Sequence, residues 1–304
     1  MGLKGLDEDE VSTVKVAMSN GGLFIIPLLV LSVALVMGYS PTYVAAFASL
    51  SVIAVAAIKP STRMGLKSIW EALGETTLRM VSVTAACAAA GLVIGGISMT
   101  GLGGKFADLV FMLAGNSSIL VLIISAILAI ILGMGMPTPS AFILAAVLVG
   151  PTLSSLDFSA MQSNMFILYF AVLSAMTPPV AVAAFAASAI ADAKPLGIAV
   201  GAVKLAITAF VVPFAFMYGE GLLLEGPIMG IILNCLTATI GVIVLSAGIE
   251  GYWKEPLSRI AQAMLLVAGL MFLAPNIIAL GVAVALVVAA VLATPHLRNR
   301  AKTA

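Results

Sequence analysis

Charge, histidine and cysteine are all scarce in this chain. Only 9% of its 304 residues are charged, against about 25% in an ordinary soluble domain. The formal net charge of +1 gives no electrostatic basis for holding nucleic acid. The one histidine, His296, lies in a basic tail with no second histidine, cysteine or carboxylate beside it, which excludes a zinc or protease constellation. Cys87 and Cys235 both sit inside apolar runs and read as small core residues rather than as a disulfide or metal pair. With no nucleophile, metal cluster or acid–base pair in view, neither enzymatic activity nor a cofactor is expected.

What is abundant is apolar. Hydrophobic residues make up 62% of the chain and the mean hydropathy is +1.22. A soluble core cannot hide that much apolar surface, and several runs of 18 or more apolar residues are present. The fold class is therefore an all-α polytopic integral membrane protein, with the lipid bilayer as its solvent. The first residues, "MGLKGLDEDE", are acidic where a signal peptide is basic, so residues 1–19 read as a cytoplasmic segment.

Two scaffold helices are expected in residues 20–60, parted by the turn "GYSP" with Pro41. Residues 61–80 form the most charged internal stretch. Leu66, Ile69, Trp70 and Leu73 share one helical face, while Arg63, Lys67, Glu71, Glu75 and Arg79 recur at four-residue steps. That spacing predicts an amphipathic arm helix in the membrane interface, with a plain cytoplasmic linker as the alternative. Basic residues cluster at Lys59 to Arg79 and at Arg298, Arg300 and Lys302, so both termini are expected in the cytoplasm. A further run, about Met80 to Ile97, holds Gly91 and Gly95, a spacing that permits close helix contact.

The informative feature is a pair of interruptions. Residues 133–141 read "GMGMPTPSA", yet no charged residue occurs from Leu109 to Leu156. Helical sequence resumes to about Leu148 and ends at "GPTLSSLD". A second helix, about Asn164 to Ala175, is stopped by "TPP" at Thr177, Pro178 and Pro179, and 158–191 is likewise free of charge. Inside a bilayer an unpaired backbone group costs several kcal/mol, so such breaks survive only where protein or a water-filled cavity covers them. Carbonyls ending one half-helix suit a cation, and N–H groups starting the next suit an anion. Pro139, Pro178 and Pro179 fit helix starts, where a missing N–H costs nothing. Two hydroxyl-bearing breaks of this kind mark the midplane site of a secondary transporter. With no charge at hand, an ion there is held by carbonyls and by Thr138, Ser140 and Thr177, which suits sodium. The alternative is that Pro and Gly only kink packed membrane helices.

Other residues point elsewhere. Gly133 and Gly135 lack the third glycine and the preceding strand of a nucleotide loop. Asp157, Asp192 and Lys194 stand at segment ends and read as interfacial. Lys204 lies eight residues past Leu196 in a span that also contains Pro213; it either snorkels to the interface or is a buried functional charge. Pro227 to Gly248 reads as a span, "GIEGYWKEP" as a charged loop, and 260–293 as a run divided by "APN", crossing once or twice.

"LGMGMPTPSAFILAAVLVGPTL" and "YFAVLSAMTPPVAVAAFAASAIA" closely resemble the large, DctM-like permease subunit of TRAP transporters. "ACAAAGLVIGGISMTGLG" and "IIPLLVLSVALVMGYSPTYVAAF" are similar to its fused, TAXI-type branch. The resemblance runs from about residue 20 to 220. It implies an elevator-type importer of organic acids, C4-dicarboxylates among them, driven by sodium symport across a prokaryotic inner membrane. It also implies a periplasmic solute-binding protein and a small membrane subunit as partners. By the resemblance, Gly133, Met134, Gly135, Met136, Pro137, Thr138 and Ser140 lie in a re-entrant hairpin tip. Thr177, Pro178 and Pro179 then form the facing break of a discontinuous helix.

The family's permease has two inverted repeats, and only the second is expected here, so the chain reads as a C-terminal half that needs a first-repeat partner. The expected division is a transport-domain repeat over 81–195, membrane helices over 196–293 and a basic cytoplasmic tail over 294–304. A truncated or scaffold subunit without transport activity of its own is the alternative. Self-association in opposite orientations conflicts with the strong basic bias.

Overall fold

A computed structural model describes residues 18, 21–58, 60, 62–115, 117–191, 193–253, 255–274 and 276–293, apart from the side chains of Ala189 and Glu255. The expectations for most of the 1–19 segment, for Lys59 and Asp192, and for the tail with His296 fall outside these residues. Thirteen α-helices are described: α1 (Ile25–Val36), α2 (Pro41–Ile58), α3 (Leu66–Thr100), α4 (Leu102–Ala114), α5 (Ser118–Gly133), α6 (Thr138–Ser154), α7 (Ala160–Leu173), α8 (Val182–Ala191), α9 (Pro195–Leu205), α10 (Ile207–Tyr218), α11 (Ile228–Glu250), α12 (Arg259–Phe272) and α13 (Ile277–Leu292). A two-residue hairpin, β1 (Tyr252–Trp253) against β2 (Glu255–Pro256), follows α11. α2, α3 and α11 are long and apolar enough to cross a membrane, and the α9–α10 pair adds a bent fourth span. The protein is thus an all-α polytopic membrane protein.

The chain divides into two compact units at Ser82, inside α3. In the first, α1 and α2 pack together about a turn at Gly38, whose φ of +79° suits glycine. Tyr39 meets Phe47 edge-on at 5.6 Å across that turn. The four-residue charge ladder is visible as Lys67–Glu71 and Glu75–Arg79 ion pairs. A helix end was expected near residue 80; the structure instead continues α3 unbroken for 35 residues. Nothing between Gly74 and Ser82 breaks a helix, and the hydroxyls of Thr76 and Thr77 donate to the carbonyls of Ala72 and Leu73, four residues back. At 35 residues α3 is longer than the roughly 20 residues that cross a hydrocarbon core.

The second unit is built on α5, α6, α7 and α10. Leu122 and Ala129 of α5, Ala145 and Leu153 of α6, and Phe166 and Phe170 of α7 share one buried cluster with Phe216 and Met217 of α10. Phe166, Phe170 and Phe214 meet edge-on with centroids 4.8–5.8 Å apart. α7 begins at Ala160 rather than near Asn164, because Ser159, its N-cap, and Gln162 form a capping box. The buried Gln162 amide also donates to the carbonyls of Phe216 and Met217, tying the start of α7 to the end of α10.

α6 does not stop near Leu148 but runs on through Pro151 to Ser154. Proline at 151 cannot donate to Val147 O four residues back. That carbonyl faces Gly103 of α4 instead, so closely that a Cβ there would lie 3.1 Å from it. In the Leu196–Tyr218 span the bend of 43° falls at Ala206 rather than at Pro213, which is buried within α10. Lys204, beside that bend, reaches Glu250 at the end of α11 at 3.9 Å.

The divided run at the C-terminal end is a helical hairpin. Ala261 and Leu265, early in α12, share a cluster with Ala290 late in α13, while Ala268 and Phe272 meet Ala283. α12 also packs along α11 through glycines, and a Cβ at Gly269 would stand 2.8 Å from the backbone of Leu245.

Candidate functional site

Both interruptions are real breaks, and they touch. α5 ends at Gly133, Met134 to Pro137 turn the chain, and α6 starts at Thr138. Met136 N–H donates to Gly133 O at 3.3 Å, and Gly135 adopts φ +78°, which closes the turn tightly. Of the four N–H groups a helix start leaves without an intrahelical partner, Pro137 and Pro139 remove two. Those of Thr138 and Ser140 remain, because Ala141 N–H already bonds Pro137 O. The tip is thus an antiparallel helix hairpin with two amides at one mouth and the carbonyl end of α5 at the other.

The second break begins with a 3-10 turn, Ser174–Met176, after α7. Thr177 is extended, the Pro178–Pro179 bond is cis, and α8 starts at Val182. Ala181, at φ +40°, donates its N–H to Thr177 O. Two hydroxyls serve the end of α7: Ser174 Oγ donates to Ala171 O at 2.6 Å, and Thr177 Oγ1 to Leu173 O at 2.8 Å. A hydroxyl that donates its proton inward leaves its oxygen lone pairs available to a cation.

Gly133 is buried against this turn. A Cβ there would fall 2.5 Å from Ser174 Oγ and 3.4 Å from Ala171 O. At Gly135 the nearest atom to such a Cβ would be Val180 Cγ1, at 3.4 Å. The hairpin tip therefore rests on the turn and on the residue after Pro179, and the contact needs glycine.

Of the expected site residues, the structure brings Gly133 and Gly135 to the break that holds Thr177, Pro178 and Pro179. Met134, Met136 and Pro137 complete the half-buried tip, and Thr138 and Pro139 are exposed at the start of α6. Ser140 turns elsewhere: it is fully buried and its hydroxyl donates to Cys87 Sγ on α3 at 3.3 Å. Ser174 was missed. A hydroxyl three residues before Thr177, on the same helix-end turn, is the signal that points to it.

A second polar feature lies at the other end of α7. Asp157, Gln162, Glu220, Glu225 and Asn234 line an open cavity of about 510 Å³, to which none of the expected site residues contributes. Among the described residues no group of His, Cys, Asp and Glu has metal-binding geometry. An ion at the tip would meet only carbonyl and hydroxyl oxygen.

No curated protein and no solved structure gives a match to the chain. The family described as "Tripartite ATP-independent periplasmic transporter, DctM component" matches residues 1–231, more than half of the chain. That span includes the hairpin, the tip and the second break. The chain belongs to the family of DctM components of tripartite ATP-independent periplasmic transporters, the membrane permeases of these systems.

Proposed function

We propose that this permease component imports organic acids with sodium as the coupling ion. The observation that carries the reading is the seating of Gly133 on Ser174, which joins two charge-free breaks into one oxygen-rich locus. Thr177 and Ser174 already direct their protons to backbone carbonyls, so their oxygens are preset as ligands. Hard cations favour such oxygen donors. The amides of Thr138 and Ser140 and the start of α8 suit the carboxylate.

In this reading residues 20–60 are scaffold, 61–80 an interfacial arm, and 81–195 the moving part of an elevator. Both termini lie on the cytoplasmic side of a prokaryotic inner membrane. A periplasmic solute-binding protein delivers the acid and a small membrane subunit braces the scaffold. A complementary repeat, on the same or another polypeptide, completes the site. The chain is co-expressed with a first-repeat polypeptide, the small subunit and the binding protein, and uptake of labelled organic acids is measured. Uptake is expected to collapse when choline replaces sodium; unchanged uptake would remove the coupling ion from the proposal. A scaffold without transport activity would show no uptake in either salt.

A further inference from the structure

We infer that the α11–α13 bundle holds one phospholipid acyl chain in a cavity beneath Trp253. Nearly all of this bundle lies past residue 231, outside the span matched by the family. The cavity measures about 180 Å³ and is partly open. Val244 and Ala247 of α11, Leu265 of α12, and Val287 and Ala290 of α13 form its walls, and the indole of Trp253 lines it from the hairpin that follows α11.

Its origin is in the packing. Among the described residues α11 and α13 each pack along α12 and scarcely meet each other. Gly248 and Gly269 draw α12 tightly onto α11. Ala247, Ala261 and Ala290 are the small residues of one buried cluster, and they leave a cleft between the two outer helices.

Chemistry and depth choose the occupant. The described lining residues are all apolar, so water has no partner there; a comparable apolar cavity of about 150 Å³ stays dry and takes benzene. α11 is long and apolar enough to cross a membrane, and Ile243 and Val288, next in sequence to the lining residues Val244 and Val287, are exposed. The rim therefore faces lipid, and acyl chains are the apolar groups at hand. One end of the cavity stands at headgroup level. Glu250 closes α11, Arg259 opens α12, and between them stands Trp253, a residue type that gathers at the water–lipid boundary. Val244 lies six residues before Glu250, about 9 Å deeper along the helix. Arg259, two residues after the lining residue Leu257, is exposed and has no ion pair among the described residues. A molecule with a phosphate at that level and a hydrocarbon chain running inward fits both ends, and that molecule is a phospholipid.

The test uses the purified full chain carrying Trp70→Phe, which leaves Trp253 as its one tryptophan. The detergent has a rigid steroid body in place of an alkyl chain, so that it does not stand in for the ligand. The probe is phosphatidylglycerol with a dibromostearoyl chain, whose bromines quench an indole on contact. Quenching is expected to saturate near one lipid per chain. Val287→Phe puts a ring into the cavity and should weaken this binding about tenfold or more, and Ala247→Leu, from the α11 wall, should do the same. Native mass spectrometry should find one retained lipid on the parent chain and none on Val287→Phe. Quenching that grows without saturating, equally in the parent and both filled variants, is that of the surrounding lipid and overturns the inference. So do filled variants that gain thermal stability without lipid while the parent shows no saturable binding, since the cavity is then an empty gap. Should neither filled variant fold, saturable or unsaturable quenching in the parent chain alone decides.

Discussion

Along the α11–α12 seam, glycines bring two backbones together and rigid groups close the gap. A Cβ at Gly269 would stand 2.8 Å from the amide nitrogen of Leu245, one at Gly241 3.1 Å from Gly269 O, and one at Gly248 3.0 Å from the amide of Leu266. At the hairpin tip Gly133 makes an equally short approach, but its nearest atom is the end of a rotatable side chain, Ser174 Oγ, with Ser174 Cβ next at 3.0 Å. Backbone cannot step aside, whereas a serine hydroxyl can. The seam is built to stay shut, and the tip is built so that a single rotamer change loosens it. Breakers at element ends and hydroxyls on helix-terminal carbonyls accompany the second kind of contact at the tip.

The largest expected effect tests the rigid side of that contrast. Gly269→Ala forces a methyl group into the Leu245 backbone and should cost about 3 kcal/mol, the upper end for overpacking. Thermal unfolding in detergent reads this directly, and uptake per folded molecule should not change. Loss of uptake in molecules that remain folded would tie the seam to transport and break the comparison. Gln162→Leu comes next. It removes the donors to Phe216 O and Met217 O and the capping bond from Ser159 N–H. The buried carbonyls left behind should cost about 2 kcal/mol. Sodium dependence should survive, since Gln162 lies at the far end of α7 from the break.

Gly133→Ala probes the yielding side. Ser174 must rotate and give up its bond to Ala171 O, a loss of about 1–2 kcal/mol. Uptake should fall far more than stability does, because the tip no longer seats on the break. Adding Ser174→Ala removes the closest contact, with Oγ, but leaves the Cβ of residue 174 3.0 Å away, so the double variant should regain part of the stability but not the sodium dependence. Stability losses that simply add would mean that the two residues do not meet as described.

Much of this architecture was legible because its signals are local. A proline pair after a threonine ends a helix wherever it sits, and "GMGMPTPSA" turns a chain whatever packs around it. The absence of charge on either side is what read both breaks as interior to the bilayer. Lost to the sequence was everything that depends on register between distant segments. Ser140 looked like a tip ligand, but one helical turn carries it round to Cys87 on α3. Ser174 looked like an ordinary helix residue, and only its distance to Gly133 makes it part of the site. The arm and the following span looked separate because charge ends at Arg79, yet a change in polarity does not stop a helix when no breaker accompanies it. Pro151 failed as punctuation for a related reason, and Pro213 does not mark the bend in its span. The carbonyl freed by Pro151 found a glycine neighbour, and the bend near Pro213 settled two turns upstream beside Lys204.

Thr177→Val carries the smallest expected change in stability and the sharpest functional one. Valine keeps the shape and the β-branch, and both residues favour the extended backbone found at this position. Only the hydroxyl is lost, and with it the 2.8 Å bond to Leu173 O. That costs about 1 kcal/mol, less than either glycine variant. If Thr177 only caps α7, a stability change of that size is all that follows, and sodium affinity stays where it was. If its oxygen is a ligand, the half-saturating sodium concentration should rise about tenfold, the equivalent of about 1.4 kcal/mol in binding. Thr177→Ser separates these outcomes further, since it restores the oxygen without the methyl group. It should recover sodium affinity even where packing is slightly poorer. Recovery of stability without recovery of sodium affinity would show that the break is held by its hydroxyls but does not use them, and the tip would then differ from the seam only in rigidity.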